Sequence, residues 1–159
     1  MLRALAAKGG VVHINFHIGF LSQTFRDAWK QCPELQEEIE SFARRLCGEN
    51  LACQLLETSR ITRERIALGQ LPHVDWTEIV EHICHAVNVA GIDHVGLGSD
   101  FDGADMPEGM EDASQLPKIA RALSAKGYPA GDVQKILGGN TLRLMQDVEA
   151  IAHKMEGTT

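Results

Sequence analysis

Two short apolar segments in an otherwise helical sequence constrain the fold of this 159-residue chain more than any other feature. Val11–Phe16 follows a glycine pair, and Ile92–Asp100 follows a glycine that ends a helical pattern, so both segments predict strands. Helical patterns precede, separate and follow them, and this alternation is typical of an α/β fold with parallel strands. Two strands alone cannot form a stable parallel sheet, because both faces and both edges need cover.

The residues before the first strand predict the last turns of an amphipathic helix. Leu2, Leu5 and Ala6 lie at helical spacing, and Gly9-Gly10 ends the pattern. No capping residue precedes this helix. We therefore expect the chain to begin inside a larger fold.

Between the strands, the stretch from Gln23 to Gln70 is polar and rich in Glu, Arg and Gln. Pro33 suits the first turn of a helix through Glu34 to Leu46 that ends at Gly48. A second helix is predicted over Leu51–Leu68. The stretch carries no motif and is most similar to an insertion or a lid, and its charged run is typical of a solvated face: Arg60, Arg63, Glu64 and Arg65.

Three further helical regions flank the second strand. The first, Trp76–Ala90, has Asp75 as a candidate cap and an apolar face. The next is capped by Ser114 or Asp112 and runs through Ala125. The last covers Val133–Met155, with a break near Gly138-Gly139.

Composition excludes two classes of partner. The formal net charge is −7 and no block of Lys and Arg is present, which argues against a nucleic-acid partner. No apolar run approaches the ~20 residues that span a bilayer, and no secretion signal is recognisable. The cysteines form no Cys-x-x-C pair, which predicts four free, reduced thiols and a cytoplasmic location: Cys32, Cys47, Cys53 and Cys84.

The end of the second strand carries the strongest candidate for chemistry. Gly96, Gly98 and Asp100 share one face, and paired glycines there indicate that another group approaches the backbone closely. Asp100 ends the strand, where ligands bind in folds of this type. Asp102-Gly103 then permits a tight turn. The alternative is that Asp100 only caps that turn. An EF-hand is excluded, because Asp105 occupies the glycine position of such a loop.

Histidines are the other candidates. His13, Asn15 and His17 share one face of the first strand, which is either a wet edge or the inner face of a barrel near an active site. His13 and His17 lie about 13 Å apart in a strand, too far to share an ion, and His13 is interpreted as a hydrogen-bonded interior residue. His82 and His85 share a helix face and predict a polar rim rather than a metal site.

Several segments together resemble the membrane (renal) dipeptidase family. The strongest is Ala90–Gly103, with Gly98-Ser99-Asp100-Phe101-Asp102-Gly103 at its end. The others are, in chain order, Val11–Phe16, Glu81–Val87, Pro107–Asp112 and Gly138–Arg143. Cys84 stands where many relatives carry Asp.

The resemblance implies the C-terminal part of a metal-dependent (β/α)8 barrel. Residues 1–22 would hold the end of a helix and the penultimate strand, 23–72 a helical insertion, and 73–159 the last βα unit with the C-terminal helices. The family uses two zinc ions to hydrolyse dipeptides, including some with a C-terminal D-residue. Bridged zinc ions activate water and polarise the carbonyl, while a carboxylate handles protons.

In that scheme Asp100 is the proton-handling and amine-binding carboxylate, and Asn15 and Asp102 line the same mouth. The family's metal ligands precede the segment that this chain resembles, so we expect no metal ligand here and no activity from the isolated chain. The alternative is a non-catalytic fragment or interaction module that completes a barrel with another chain. Apolar faces are then expected to be exposed and to favour oligomers: Val12, Ile14, Val95 and Leu97.

Overall fold

The computed structural model describes residues 1–157, which divide into two compact units. Unit 1 combines Met1–Ile14, Ile79–Gly98 and the region from Leu116 onward, and unit 2 combines Asn15–Glu78 with Ser99–Gln115. The helices and strands are α1 (Leu2–Ala6), β1 (Val12–Asn15), α2 (Ile18–Leu21), α3 (Gln23–Gln31), α4 (Pro33–Cys47), α5 (Leu51–Ala67), α6 (Thr77–Ala90), β2 (Val95–Gly98), α7 (Pro117–Ala125), α8 (Ala130–Gln134) and α9 (Asn140–Glu156).

The two predicted strands are present and pair with each other in a two-stranded sheet. The second strand is shorter than predicted, since Ile92–His94 forms a 3-10 turn and only Val95–Gly98 is extended. The turn is closed by a hydrogen bond from the His94 amide to the Gly91 carbonyl. Regular pairing therefore begins only at Val95.

The two glycines of β2 make room for His13 of β1. A Cβ at Gly96 would lie 2.9 Å from His13 Cδ2, and one at Gly98 would lie 2.8 Å from His13 Cβ. The predicted close approach thus comes from the neighbouring strand. His13 Nε2 lies 2.8 Å from Thr141 Oγ1, which confirms that the residue is hydrogen-bonded, but it is exposed rather than interior as predicted.

The core of unit 1 lies between β2 and the helices around it. The predicted inward face of α6 is confirmed, since Ile79, Val80, Ile83 and Ala86 are buried. Val95 is fully buried, so its predicted exposure is wrong. The turn at Lys135–Gly139 and α9 contact β2 and cover it. Val12, Ile14 and Leu97 are half-buried.

Asn140 ties the C-terminal helices to the start of β2. It is 2% exposed, and its Nδ2 donates to the carbonyl oxygens of Ile92 and Val95, both at 2.8 Å. The predicted break near Gly138 is confirmed as a π-type turn over Lys135–Gly139, and α9 begins at Asn140. The Gly-Gly-Asn sequence therefore places a buried amide donor against β2.

In unit 2, α4 and α5 begin and end within a residue or two of their predicted bounds. Gly48 ends α4 with a φ of 57°, and the Asn50 side chain caps α5 by accepting from the Cys53 amide at 3.1 Å. This short turn brings Cys47 and Cys53 together as a disulfide, so the prediction of four free thiols is wrong. Cys32 and Cys84 are free.

Exposed apolar residues lie mainly on the helices α4, α5 and α9 rather than on the strands. On α9 they form a regular series. Five of them follow one another every three or four residues, and each is more than half exposed: Leu142, Met145, Val148, Ile151 and Met155. Among the residues that the structure describes, no helix is long and apolar enough to cross a bilayer.

Replacing Asn140 by Ala is expected to lower the free energy of unfolding by about 2 kcal/mol, because two buried carbonyl groups lose their donor. Chemical denaturation measures this change. Leu142→Ala, on the same helix at an exposed position, is the matched control and is expected to change stability by less than about 0.5 kcal/mol. Equal losses in both variants would contradict the anchoring role of Asn140.

Burial raises the pKa of Tyr128 to about 12, and a hydrogen bond with Cys84 contributes in the same direction. The chain has a single tyrosine, so ultraviolet titration of tyrosinate reports this residue alone. We expect a midpoint near 12 in the folded chain and near 10 in denaturant. Because the folded state disfavours the phenolate, stability should fall as the pH rises above about 10. A folded midpoint near 10 would contradict this environment.

Candidate functional site

Asp100 lies two residues after β2 in a backbone conformation that few residues adopt. Its φ is 64°, and it is the one non-glycine residue with a positive φ among those that the structure describes. Asp tolerates this left-handed conformation better than most residues, and such residues concentrate at functional sites. The Gly103 amide donates to the Asp100 carbonyl at 3.2 Å, which closes the predicted tight turn.

The carboxylate of Asp100 is oriented by Asn15. Asn15 Nδ2 donates to Asp100 Oδ2 at 3.0 Å, while Asn15 Oδ1 accepts from the His17 amide at 2.8 Å. The two bonds use both ends of the Asn15 amide and so fix its orientation. The turn is closed by the backbone of Asp100, and the side chain is held by Asn15 instead. The Asp100 side chain is therefore not used to close the turn, and its carboxylate is available for other contacts.

Gly103 borders the other carboxylate oxygen. A Cβ at Gly103 would lie 3.0 Å from Asp100 Oδ1, so a larger residue there would crowd the carboxylate. Asp100 is exposed, and its free lone pairs therefore face solvent. A carboxylate in this state can accept hydrogen bonds from an ammonium group or exchange a proton with a nearby water.

Asp102 is also exposed but lies outside the hydrogen-bonded pair of Asn15 and Asp100. It lines a cavity of about 410 Å³ in unit 2, together with His17, Asp105 and one side of α5. Of the three predicted site residues, the structure therefore brings Asn15 and Asp100 into contact and places Asp102 beside a neighbouring cavity.

His17 is a site residue whose role the sequence did not identify. Its Nδ1 lies 3.4 Å from the Asp105 carbonyl oxygen, and its ring meets that of Phe20 edge to face at 5.1 Å. It lines two cavities of unit 2. The sequence places His17 on the same strand face as Asn15. Its contact with Asp105 comes from a distant loop and could not be predicted from that pattern.

Within residues 1–157, no group of three or more His, Cys, Asp or Glu side chains is arranged to hold a metal ion.

Replacing Asp100 by Asn should leave stability within about 0.5 kcal/mol, because Asn also tolerates positive φ and keeps an oxygen for Asn15. Replacing it by Val should cost about 1–2 kcal/mol, because a β-branched side chain is strained in this conformation. Denaturation of both variants tests this. Asp102→Val is the matched control and should cost less, and an equal loss at both positions would show that the backbone of Asp100 is unstrained.

Comparison with known proteins places these features in a family. The sequence pattern of the membrane dipeptidase family, peptidase family M19, matches residues 1–159. Dipeptidase tcpJ of Claviceps purpurea is 42% identical over 82 residues, which cover 50% of this chain and 19% of that protein. Dipeptidase ataJ of Aspergillus terreus is 41% identical over 86 residues, covering 52% and 21%.

Solved structures show the same relationship. A metallopeptidase named dipeptidase AC superimposes with a TM-score of 0.58 at 25% identity, over 91% of this chain and 30% of that chain. A metallopeptidase from Rhodobacter sphaeroides, solved with a phosphinate mimic of the dipeptide L-Ala-D-Ala, gives 0.57 at 25% identity over 91% and 29%. The probable dipeptidase PvdM from Pseudomonas aeruginosa gives 0.60 at 25% identity over 89% and 38%.

The chain thus spans about a fifth of the length of the curated dipeptidases that it matches. The α/β order of strands and helices, the turn at Asp100 and the pattern match along residues 1–159 agree. This chain belongs to the membrane dipeptidase family, peptidase family M19.

Proposed function

We propose that this chain forms the last two strands, with their helices, of a metal-dependent dipeptidase barrel and supplies Asp100 to its active site. The observation that carries the proposal is the placement of Asp100. It follows the second strand in a left-handed turn, with its carboxylate held by Asn15 at 3.0 Å, in a chain whose family is named for dipeptide hydrolysis.

Asp100 has two chemical tasks in this proposal. Its exposed carboxylate accepts hydrogen bonds from the ammonium group of the dipeptide and so orients the substrate. It also receives a proton during attack of water on the peptide carbonyl and passes it to the leaving amine. Asn15 is a positioning residue, since it holds Oδ2 and leaves the remaining lone pairs for substrate and water. Asp102 lines the mouth of the active site, farther than Asp100 from the reacting groups.

The family implies a metal cofactor, which we propose to be a pair of zinc ions. The residues of this chain do not fit that role, because no group of three potential ligands is found within residues 1–157, and a catalytic zinc site needs about three protein ligands. We propose that the ligands come from polypeptide outside this sequence and that the isolated chain does not turn over dipeptides. Accordingly, no step in the mechanism above is assigned to a metal held here.

The substrate class is proposed to be dipeptides, including those with a C-terminal D-residue. The support is the name of the family and the phosphinate mimic of L-Ala-D-Ala found with the Rhodobacter sphaeroides metallopeptidase.

Mixing this chain with the N-terminal part of a family dipeptidase tests the proposal. With zinc, the mixture is expected to hydrolyse L-Ala-D-Ala, whereas the chain alone is expected to show no turnover. Asp100→Asn should reduce the rate of the mixture by about 10²–10⁴-fold, the usual contribution of a proton-transferring group. Asp27→Asn, at an exposed position on α3, is the matched control and should leave the rate unchanged.

Two results would contradict the proposal. Turnover by this chain with zinc alone would show that it is complete in itself. An active mixture whose rate is unaffected by Asp100→Asn would remove Asp100 from the mechanism.

A second candidate function is a non-catalytic module that completes a barrel with another chain. The exposed apolar residues of α9 favour it, because an apolar face of this length is typical of a protein contact. The same mixing experiment separates the two candidates. A complex that forms on size-exclusion chromatography but hydrolyses no dipeptide with zinc would favour the module.

A further inference from the structure

A third cavity of unit 2, of about 480 Å³, lies between α5 and the loop that follows Asp100. We call it the Arg63 cavity. Its wall includes the apolar residues Leu56, Ile66, Val74, Phe101 and Met106, together with polar and charged residues: Ser59, Arg63, His73, Glu108 and Glu111. Its volume falls within the range of about 300–1,000 Å³ typical of small-molecule sites. Phe101, the residue after Asp100, is part of this wall.

Arg63 and His73 are the basic residues on this wall, and the guanidinium of Arg63 has no partner among the residues that the structure describes. Arg60, on the same helix, is paired with Glu57 at 2.9 Å and Glu64 at 2.5 Å. Arg65 is paired with Glu38 at 2.6 Å. The side chain of Arg63 makes no hydrogen bond or ion pair within residues 1–157.

The spacing of charges along α5 explains this difference. Side chains three and four residues apart on a helix are neighbours. For Arg63 these positions hold Ser59, Arg60, Ile66 and Ala67, none of which is a carboxylate. Arg63 therefore differs from the ion-paired Arg60 and Arg65, although the sequence predicts one solvated face for all three.

Each of the two acidic residues on the wall has a partner other than Arg63. The Glu108 carboxylate pairs with His73, and Glu111 Oε1 accepts from the Gly109 amide at 2.7 Å. Neither is paired with Arg63. The cavity thus combines apolar side chains with one guanidinium that has no carboxylate partner and whose donors face solvent.

We propose that the Arg63 cavity binds a small carboxylate ligand with an apolar body. The guanidinium of Arg63 donates hydrogen bonds to both carboxylate oxygens, since its planar fork matches a carboxylate in bidentate geometry. The apolar side chains of the wall contact the rest of the ligand. This inference deepens the proposed function and rests on it for the identity of the ligand, which is the dipeptide substrate.

Two parts of a dipeptide can supply the carboxylate, namely its C-terminus or an acidic side chain. Three probes separate them. N-acetyl-phenylalanine presents a terminal carboxylate, N-acetyl-phenylalaninamide presents none, and N-acetyl-glutamic acid α-amide presents only the side-chain carboxylate.

The experiment is an NMR titration of the purified chain with each probe, in which shifts of the α5 amides report binding. At least one of the two acids is expected to bind, and the neutral amide to bind at least about tenfold more weakly. Arg63→Gln should weaken binding of that acid about tenfold. Arg63→Lys should recover only part of the loss, because an ammonium cannot form the fork.

Arg60→Gln is the matched control, because it removes the same charge from the same helix without touching the cavity wall. It is expected to leave the affinity within about twofold. Circular dichroism of each variant verifies that α5 is intact. The proposal is overturned if neither acid binds, if the neutral amide binds as tightly as the acids, or if Arg60→Gln weakens binding as much as Arg63→Gln.

These outcomes are independent of the proposed catalytic role. The titration uses the isolated chain and needs no turnover, so acid binding remains measurable if the mixed proteins are inactive. Conversely, an active mixture in which Arg63→Gln leaves both KM and kcat unchanged would remove Arg63 from substrate binding and leave the role of Asp100 intact.

Discussion

The hydrogen bond from Asn15 to Asp100 is the interaction on which the candidate site depends. Asp100 is held at a φ of 64°, a conformation that carries a cost for residues other than glycine. The cost is tolerated where surrounding contacts fix the residue, and here Asn15 and Gly103 supply them. A turn that served only to reverse the chain would not need a carboxylate held at this point. Strain and orientation together therefore support the proposal that Asp100 is functional.

Unit 1 has its own structural constraint in the packing around β2. His13 occupies the space that Gly96 and Gly98 leave, and Asn140 supplies donors to the carbonyl oxygens at the start of the strand. The segments that resemble the dipeptidase family thus have different roles. The glycines of β2 and the Gly-Gly-Asn before the last helix build the structure, whereas the Ser-Asp-Phe-Asp-Gly turn holds the carboxylate that we propose to be catalytic.

Much of the fold could be predicted because it follows from short-range rules. Pro33 and Gly48 bound α4, Asn50 and Gly69 bound α5, and the buried face of α6 repeats at helical spacing. The failures involve contacts between segments. The length of β2 depends on the turn at Ile92–His94, the burial of Val95 depends on helices far along the chain, and the Cys47–Cys53 disulfide depends on how tightly two helices are joined.

The sequence by itself determined the family and the candidate Asp100, because the Gly98–Gly103 motif combines local signals of a strand end, a tight turn and a carboxylate. Only the tertiary structure decided which groups surround it. Asn15 contacts Asp100 although the two lie 85 residues apart in the chain, and His73 pairs with Glu108, 35 residues away. Such pairings arise from chain folding across long separations, which no local pattern of residue types encodes.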